Sequence, residues 1–370
     1  MKILYVTTIS LTMNTFFKPH IDMLVNEGCQ VDIACNYEEL ELDNFYKKSG
    51  CNFYQIDFSR SPLSLDNVKA YGQLKDVIEK GNYDIVHCHT PNASAITRLV
   101  CRNFRKKSGL RVFYTAHGFH FYKGAPKLNW MIFYPIEKFC SRFTDKLITI
   151  NKEDYELAKS KFKAREVYYI PGVGVDLSRF QNVQVDRAAK RREIGVPEDS
   201  FLLLSVGELN DNKNHQVIIK ALAKLDNPKV HYAIAGVGEK KDYLLELADE
   251  LGVGENVHLL GFRKDIPELN YSADVFCFPS IREGLGLAAI EGMASGLPLI
   301  TSNIHGINDY SLEGETGFKC NPYSIEQFAN AIRRLMDSNN LRLLSKNNTK
   351  LVSKYDINEI NKLVFQIYFR

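Results

Sequence analysis

Phe278-Pro279-Ser280-Ile281-Arg282-Glu283-Gly284-Leu285-Gly286-Leu287-Ala288-Ala289-Ile290-Glu291-Gly292 begins at the end of an apolar run and finishes inside a helical pattern. The run Val275–Phe278 is short and apolar, as a buried strand should be, and Pro279 stops it. A glycine-containing loop follows, and helical spacing starts near Gly286. A helix start presents unpaired backbone N–H groups and the positive end of the helix dipole, which together form an anion site suited to a diphosphate. Gly284 and Gly286 would let the backbone approach such a ligand closely. Glu283 lies just before the helix and Glu291 more than one turn inside it. At ~1.5 Å rise per residue the two carboxylates are several ångströms apart along the axis. One could accept hydrogen bonds from sugar hydroxyls and the other from ribose hydroxyls.

Outward from this stretch, short apolar runs alternate with helical patterns. Strands are predicted at Lys2–Thr7, Val31–Cys35, Phe53–Ile56, Asp84–Cys88, Arg111–Thr115, Lys146–Ile150 and Val167–Ile170. Helices are predicted between them at Phe16–Glu27, Leu65–Lys80, Ala93–Lys107 and Asn129–Phe143. After Ile170-Pro171-Gly172-Val173-Gly174, which reads as a hinge, the rhythm restarts with strands Phe201–Val206, Tyr232–Ala235, Val257–Leu260, Val275–Phe278 and Leu299–Ser302. Such βαβα alternation implies parallel sheets covered by helices on both faces. The chain is therefore expected to be α/β, with two Rossmann-like doubly wound domains facing each other across a cleft. Their expected bounds are 1–170 and 171–355. The final segment, 356–370, has helical periodicity over Ile357–Phe369 and is expected to pack back on the N-terminal domain. Open α/β sheets bind ligands at the carboxyl ends of their strands, so chemistry is sought there.

The 370 residues, 45% hydrophobic and 25% charged, exclude long disorder and fit two cores. The net charge of +3 is uninformative, but Arg98 to Arg165 holds 16 Lys or Arg against 5 Asp or Glu. Phe104, Phe113, Phe119, Phe121, Tyr122, Trp130, Phe133 and Tyr134 are interleaved there, a mix that suits a membrane interface as well as a plain solvated face. No recognised nucleic-acid motif accompanies it. The eight Cys residues lack CxxC spacing, which argues against zinc and redox motifs and for reduced thiols in a cytoplasmic setting. His87-Cys88-His89 reads as a strand end with mixed roles rather than a metal cluster, because neighbouring residues point to opposite faces. The N-terminal apolar run turns polar by Thr7, too soon for a signal peptide or a membrane span, and Thr7–Asn14 is expected to be a loop.

The stretch from Glu283 to Glu291 resembles the E-x7-E motif of retaining GT-B glycosyltransferases of family 4. Further resemblances follow in order. Val206-Gly207-Glu208-Leu209-Asn210-Asp211-Asn212-Lys213-Asn214 is similar to the family's phosphate-binding loop, Ala235-Gly236-Val237-Gly238 to its next glycine turn, and Leu260-Gly261-Phe262-Arg263-Lys264-Asp265-Ile266 to the segment bordering the base. Ile170 to Asp176 resembles the interdomain segment, and Thr115-Ala116-His117-Gly118 the His-containing loop facing the reacting sugar. The resemblance spans nearly the whole chain and implies a GT-B fold.

It also implies a set of roles. His117, Glu283 and Lys213 would be catalytic. Gly207, Lys213, Gly236, Arg263, Glu283, Gly284, Leu285, Gly286, Leu287 and Glu291 would bind the donor, and no metal or cofactor would be required. The Lys213 ammonium suits a diphosphate on its own physical grounds. Two departures stand out. Glu208 replaces the family's Arg and is expected to point away or pair with Lys213, leaving Arg282 or Arg263 to supply the missing charge. Thr7–Asn14 lacks the family's paired glycines.

The resemblance further implies transfer of a hexose or N-acetylhexosamine from a UDP sugar, with retention, to a lipid-linked saccharide acceptor in capsule or exopolysaccharide assembly. The N-terminal domain would dock peripherally on the inner face of the cytoplasmic membrane. Two rivals share these motifs: a GT-B sugar-nucleotide 2-epimerase and a binding module without catalysis. A nicotinamide dehydrogenase would need a glycine fingerprint in the first strand-to-helix turn, which is absent.

Overall fold

A computed structural model describes residues 1–61 and 64–370. The chain divides into two compact units: Met1–Gly174 with Ile357–Arg370, and Val175–Asp356. The chain passes between them once directly after the glycines of the expected hinge and once just before the last helix.

In the first unit the order is β1 (Lys2–Ile9), α1 (Ser10–Phe16), α2 (Lys18–Asn26), β2 (Gln30–Asn36), α3 (Asn44–Lys48), β3 (Phe53–Gln55), α4 (Asp66–Gly81), β4 (Ile85–His89), α5 (Pro91–Lys107), β5 (Arg111–Ala116), α6 (Lys127–Cys140), β6 (Lys146–Thr149), α7 (Lys152–Lys161) and β7 (Glu166–Tyr169). The second unit holds α8 (Arg187–Glu193), β8 (Phe201–Val206), α9 (His215–Leu225), β9 (Val230–Ala235), α10 (Lys241–Glu250), β10 (Val257–Gly261), α11 (Ile266–Ser272), β11 (Val275–Phe278), α12 (Leu287–Ala294), β12 (Leu299–Ser302), β13 (Gly317–Cys320), α13 (Ile325–Leu335) and α14 (Ser338–Leu351). The last helix, α15 (Ile357–Phe369), returns to the first unit.

Both sheets are parallel, with strand orders β3-β2-β1-β4-β5-β6-β7 and β10-β9-β8-β11-β12-β13. Each order reverses direction once, at β1/β4 and at β8/β11. Crossovers leave such a point on opposite faces of the sheet, so the loops there part and leave room at the strands' carboxyl ends. The strands are apolar on both faces because helices cover both: Ile3 to Val6 and Leu202 to Leu204 are buried throughout. The helices bury one stripe each. On α13 these are Phe328, Ala329, Ile332 and Leu335, packed into the core with Val217, Ile218 and Leu222 of α9.

The predicted strands and helices are found; the structure adds helices α3 and α7, and three further differences stand out. The expected loop Thr7–Asn14 does not exist: β1 runs to Ile9 and α1 starts at Ser10. The single helix predicted for Phe16–Glu27 is two, because α2 restarts at Lys18-Pro19, where a proline without an N–H fits a first turn. Strand β13 was not predicted.

A buried ion pair fastens α5 to α6. Arg98 is fully buried, and its Nη1 lies 2.8 Å from Glu137 Oε2, in ion-pair contact rather than an aligned hydrogen bond. The Tyr114 hydroxyl donates to Glu137 Oε1 at 3.1 Å, and the guanidinium lies 4.1 Å from the Tyr114 ring centre. Removing one partner leaves an uncompensated buried charge. Glu137→Ala should therefore destabilise the first unit by about 3–5 kcal/mol. The readout is urea unfolding followed by emission of Trp130, the chain's single tryptophan, on α6. A change below about 1 kcal/mol would show that the pair is not holding the two helices.

Candidate active site

The reversal point of the second sheet puts the loop after β8 beside the loop after β11. One backbone bond and several asparagine side chains lace the two together. The Ile281 N–H donates to Asn212 O at 2.8 Å, and the Asn212 side-chain amide donates to Arg282 O at 3.0 Å. Asn210 Oδ1 accepts the Lys213 N–H at 2.9 Å, and buried Asn214, left-handed at φ +55°, donates to Pro279 O and Pro322 O. This lacing aims Lys213 at Glu283, and their side chains form an ion pair. The Lys213 ammonium also sits 4.9 Å from the Phe278 ring centre.

The glycines are there because backbones meet. A Cβ on Gly236 would fall 1.8 Å from Gly207 O, and the Gly207 N–H donates to Ala235 O at 3.0 Å. The turns after β8 and β9 therefore pack main chain to main chain. Gly286 caps α12 at φ +90°, where a Cβ would lie 2.4 Å from the Phe278 ring. Its left-handed conformation and the missing side chain both require glycine. Gly284 is pressed by the loop after β12, since a Cβ on Gly306 would lie 1.8 Å from Gly284 O. Leu285 is buried, Leu287 half-buried, and the first turn of α12 has neither an acidic residue nor a side-chain cap. Its amides thus face no competing anion from their own turn.

Glu291, one helix face further in, is mostly buried and makes no side-chain hydrogen bond among the described residues. Burial, offset only weakly by Arg179, pushes its carboxyl up to about 7.

Sequence reasoning missed Tyr310. Its buried hydroxyl has no hydrogen-bond partner among the described residues and would lie 3.1 Å from a Cβ on Gly286. Burial, with a lesser contribution from Glu283, pushes its phenol well up. Tyr310 follows β12, a strand away from the motif, and nothing in its neighbourhood of the sequence marks it.

Of the two alternatives for Glu208 the structure takes the first, and the expectation for Arg263 needs correction. Glu208 does not pair with Lys213: it is exposed, and its carboxylate accepts from the Asn210 amide at 2.9 Å. Arg263 is not a spare cation, because Asp265 holds it through two nitrogens and Glu193 holds it as well. The same guanidinium keeps the Asp265 carboxyl well below the usual range. Arg282 is exposed and has no ion pair among the described residues.

Gly207, Lys213, Gly236, Glu283, Gly284, Gly286 and the start of α12 are thus gathered in the second unit. His117 belongs to the first, half-buried just after β5. Its Nε2 lies 3.1 Å from Nδ1 of His89, the last residue of β4. His87 and His89 share one strand face, with Cys88 in the core on the other, and no group of three or more His, Cys, Asp or Glu among the described residues is placed to hold a metal ion. All eight cysteines are free and buried.

Comparison with known proteins agrees across the chain. The family described as glycosyl transferases group 1 matches residues 186–352, and the family described as glycosyl transferase 4-like matches residues 2–151. EpsD of Bacillus subtilis, which carries the name glycosyltransferase, is 39% identical over 338 residues, covering 90% of this chain and 87% of its own. A protein of Escherichia coli named UDP-Gal:alpha-D-GlcNAc-diphosphoundecaprenol alpha-1,3-galactosyltransferase is 29% identical over 328 residues, 86% of this chain and 83% of its own. Among solved structures, Anabaena HepE in complex with UDP and glucose superposes with a TM-score of 0.79 at 19% identity, covering 100% of this chain and 99% of that one. The fold is GT-B, and the chain belongs to the glycosyltransferases of the group 1 and 4-like families.

Proposed function

We propose that the protein transfers a hexose or N-acetylhexosamine from a UDP sugar to a lipid-linked saccharide acceptor, with retention of anomeric configuration, in surface polysaccharide assembly. The observation that carries the reading is the gathering of Lys213, Glu283 and the uncapped start of α12 at the reversal point of the second sheet. The E. coli relative's name and the UDP in the HepE complex support the donor and acceptor classes.

On this reading the leaving diphosphate lies against the first amides of α12. Those amides and the Lys213 ammonium stabilise the charge that develops on the leaving oxygen, so that no metal is needed for that task. Glu283 accepts from the sugar hydroxyls and Glu291 from the ribose hydroxyls. The leaving phosphate takes the acceptor's proton on the face from which it departs.

The surface of α6 supports membrane docking, though not through the residues first considered. Phe113, Phe119, Phe121 and Tyr122 are buried. The exposed apolar residues are Leu128, Met131, Ile132, Ile136 and Phe139, which recur at helical spacing. Lys127, Lys138 and Arg142 are exposed beside them, and the only acid of the helix, Glu137, is buried. Apolar side chains flanked by cations suit an anionic bilayer surface. Among the described residues no helix is long and apolar enough to cross a membrane.

Three measurements test these assignments. Lys213→Ala should weaken UDP binding by about 10- to 100-fold and uridine binding far less, whereas Glu283→Gln, by freeing the ammonium, should tighten UDP binding while depressing transfer. Equal losses for UDP and uridine in Lys213→Ala, by calorimetry, would remove Lys213 from the phosphate site.

Glu291 gives a signed pH effect. Ribose hydroxyls donate to the carboxylate and not to the acid. A nucleoside whose base does not titrate in this range should therefore bind about tenfold more tightly at pH 8 than at pH 6, as a group ionising near 7 deprotonates. Glu291→Gln should flatten that profile; a flat wild-type profile would rule the contact out.

The wild-type protein should sediment with phosphatidylglycerol-rich vesicles at low salt, and Met131→Asp with Ile136→Asp should stay in the supernatant. Wild-type protein that stays in the supernatant would rule out docking.

A further inference from the structure

Each neutral imidazole has one N–H and one bare nitrogen, so a bond between two of them can be made in two ways only. Burial lowers the pKa of His89 well below its ordinary value and that of His117 to about 4, so both rings are neutral near pH 7. His89 Nδ1 and His117 Nε2 are 3.1 Å apart. Either His89 Nδ1–H donates, or His117 Nε2–H does.

The other nitrogen of His89 decides between them. His89 Nε2 is buried without a partner, in a ring stacked on Tyr5 and packed against Phe17 and His87. If His117 were the donor, His89 would have to bury its own N–H there with nothing to accept it. If His89 is the donor, its Nε2 is a bare lone pair. Orphaned buried N–H groups are rarer than orphaned acceptors, which favours the second arrangement. The neighbouring His87 is fixed independently: the Thr115 hydroxyl contacts its Nε2 at 2.8 Å, and Tyr368 of α15, whose own proton goes to Tyr5, contacts its Nδ1. His87 therefore offers His89 no partner.

We propose that His89 is a positioning residue for His117: its Nδ1–H donates to His117 Nε2 and so holds His117 in the Nδ1–H tautomer, with that N–H presented as a hydrogen-bond donor. The role rests on the reading that His117 faces the reacting sugar. It makes His117 a donor to a sugar oxygen and not a general base, because its lone pair is already engaged and its open nitrogen carries a proton. His117 Nδ1 has no hydrogen bond among the described residues, so it is free to do this.

Two experiments on the full-length protein test the proposal. In the first, histidine side-chain nitrogens are labelled with ¹⁵N and the His117 signals are assigned by their loss in His117→Ala. The expected pattern has a protonated Nδ1 and a bare Nε2; the reverse pattern overturns the proposal whatever the enzyme does. In the second, transfer is assayed in two variants. His89→Phe keeps a ring and loses the donor, and should lower kcat about tenfold with a smaller change in donor KM. His89→Asn, which keeps a side-chain N–H near the Nδ1 position, should restore most of that loss. A folded His89→Phe that keeps wild-type kcat and the Nδ1–H pattern sinks the positioning role. If His117→Ala itself retained full activity, the sugar-facing reading would fall instead, while the nitrogen spectrum would still decide the tautomer.

Discussion

Everything in the second unit turns on how closely the main chain can pack where its sheet order reverses. Gly286 must be left-handed and without a side chain, since the Phe278 ring occupies the place a Cβ would take. Only then can α12 begin directly beyond β11 with its first amides uncovered. Gly236 against Gly207, and Gly306 against Gly284, repeat the constraint on either side. Once these loops are in contact, Asn210 and Asn212 have little freedom left, and Lys213 has one direction to go. A side chain added at Gly286, Gly236 or Gly306 would have to move an aromatic ring or backbone rather than a flexible tip. The placement of charge thus follows from the absence of side chains around it.

The two units use the same topological gap with different chemistry. In the second, the gap is lined by a partly exposed ion pair and a helix dipole, features that act on charge. In the first, His89 at the end of β4 and His117 just after β5 pack against Tyr5, Phe17 and one another, and burial keeps them neutral. Neutral imidazoles give directional hydrogen bonds without long-range charge, which suits uncharged hydroxyl-bearing ligands better than phosphates. The C-terminal helix takes part in this arrangement. Tyr368 engages both His87 and Tyr5, and the Lys146 ammonium donates to Ile367 O at 2.7 Å, so the last residues of the chain stand behind the first residues of its sheet.

What could be read in the sequence was what depends on short-range pattern. Phe201–Val206, Val275–Phe278 and Leu299–Ser302 were found with their bounds because each is a buried apolar run stopped by glycine, proline or a polar residue. Strand β13 was invisible: Gly317–Cys320 opens on a glycine and carries Lys319, so it makes no apolar run. The site followed the same division. Glu283, Lys213 and the glycines were legible because they sit in contiguous motifs. Tyr310 and His89 were not, since their roles arise from neighbours distant in the chain, and no local spacing encodes an orphaned hydroxyl or the tautomer of a ring. The aromatic run near His117 misled for a related reason. Its composition was right for a surface, but alternation on β5 and packing of the following turn sent those rings inward and left the aliphatic face of α6 outside.

The ion pair between Lys213 and Glu283 also bears on Glu208, which stands where the resemblance implies an arginine. Glu208 is exposed and held by Asn210, while its carbonyl accepts from buried His215, so its carboxylate is set in solvent and screened. The local balance is then set by Lys213 and Glu283, which cancel when no ligand is bound. A diphosphate that draws the ammonium away leaves the Glu283 carboxylate needing other donors. A nucleoside diphosphate alone has none to offer at that position, whereas hydroxyls on an attached sugar do. On the proposed reading, the pairing that neutralises the empty site would therefore favour the complete donor over the spent nucleotide, because only the former supplies partners for both halves of the broken pair.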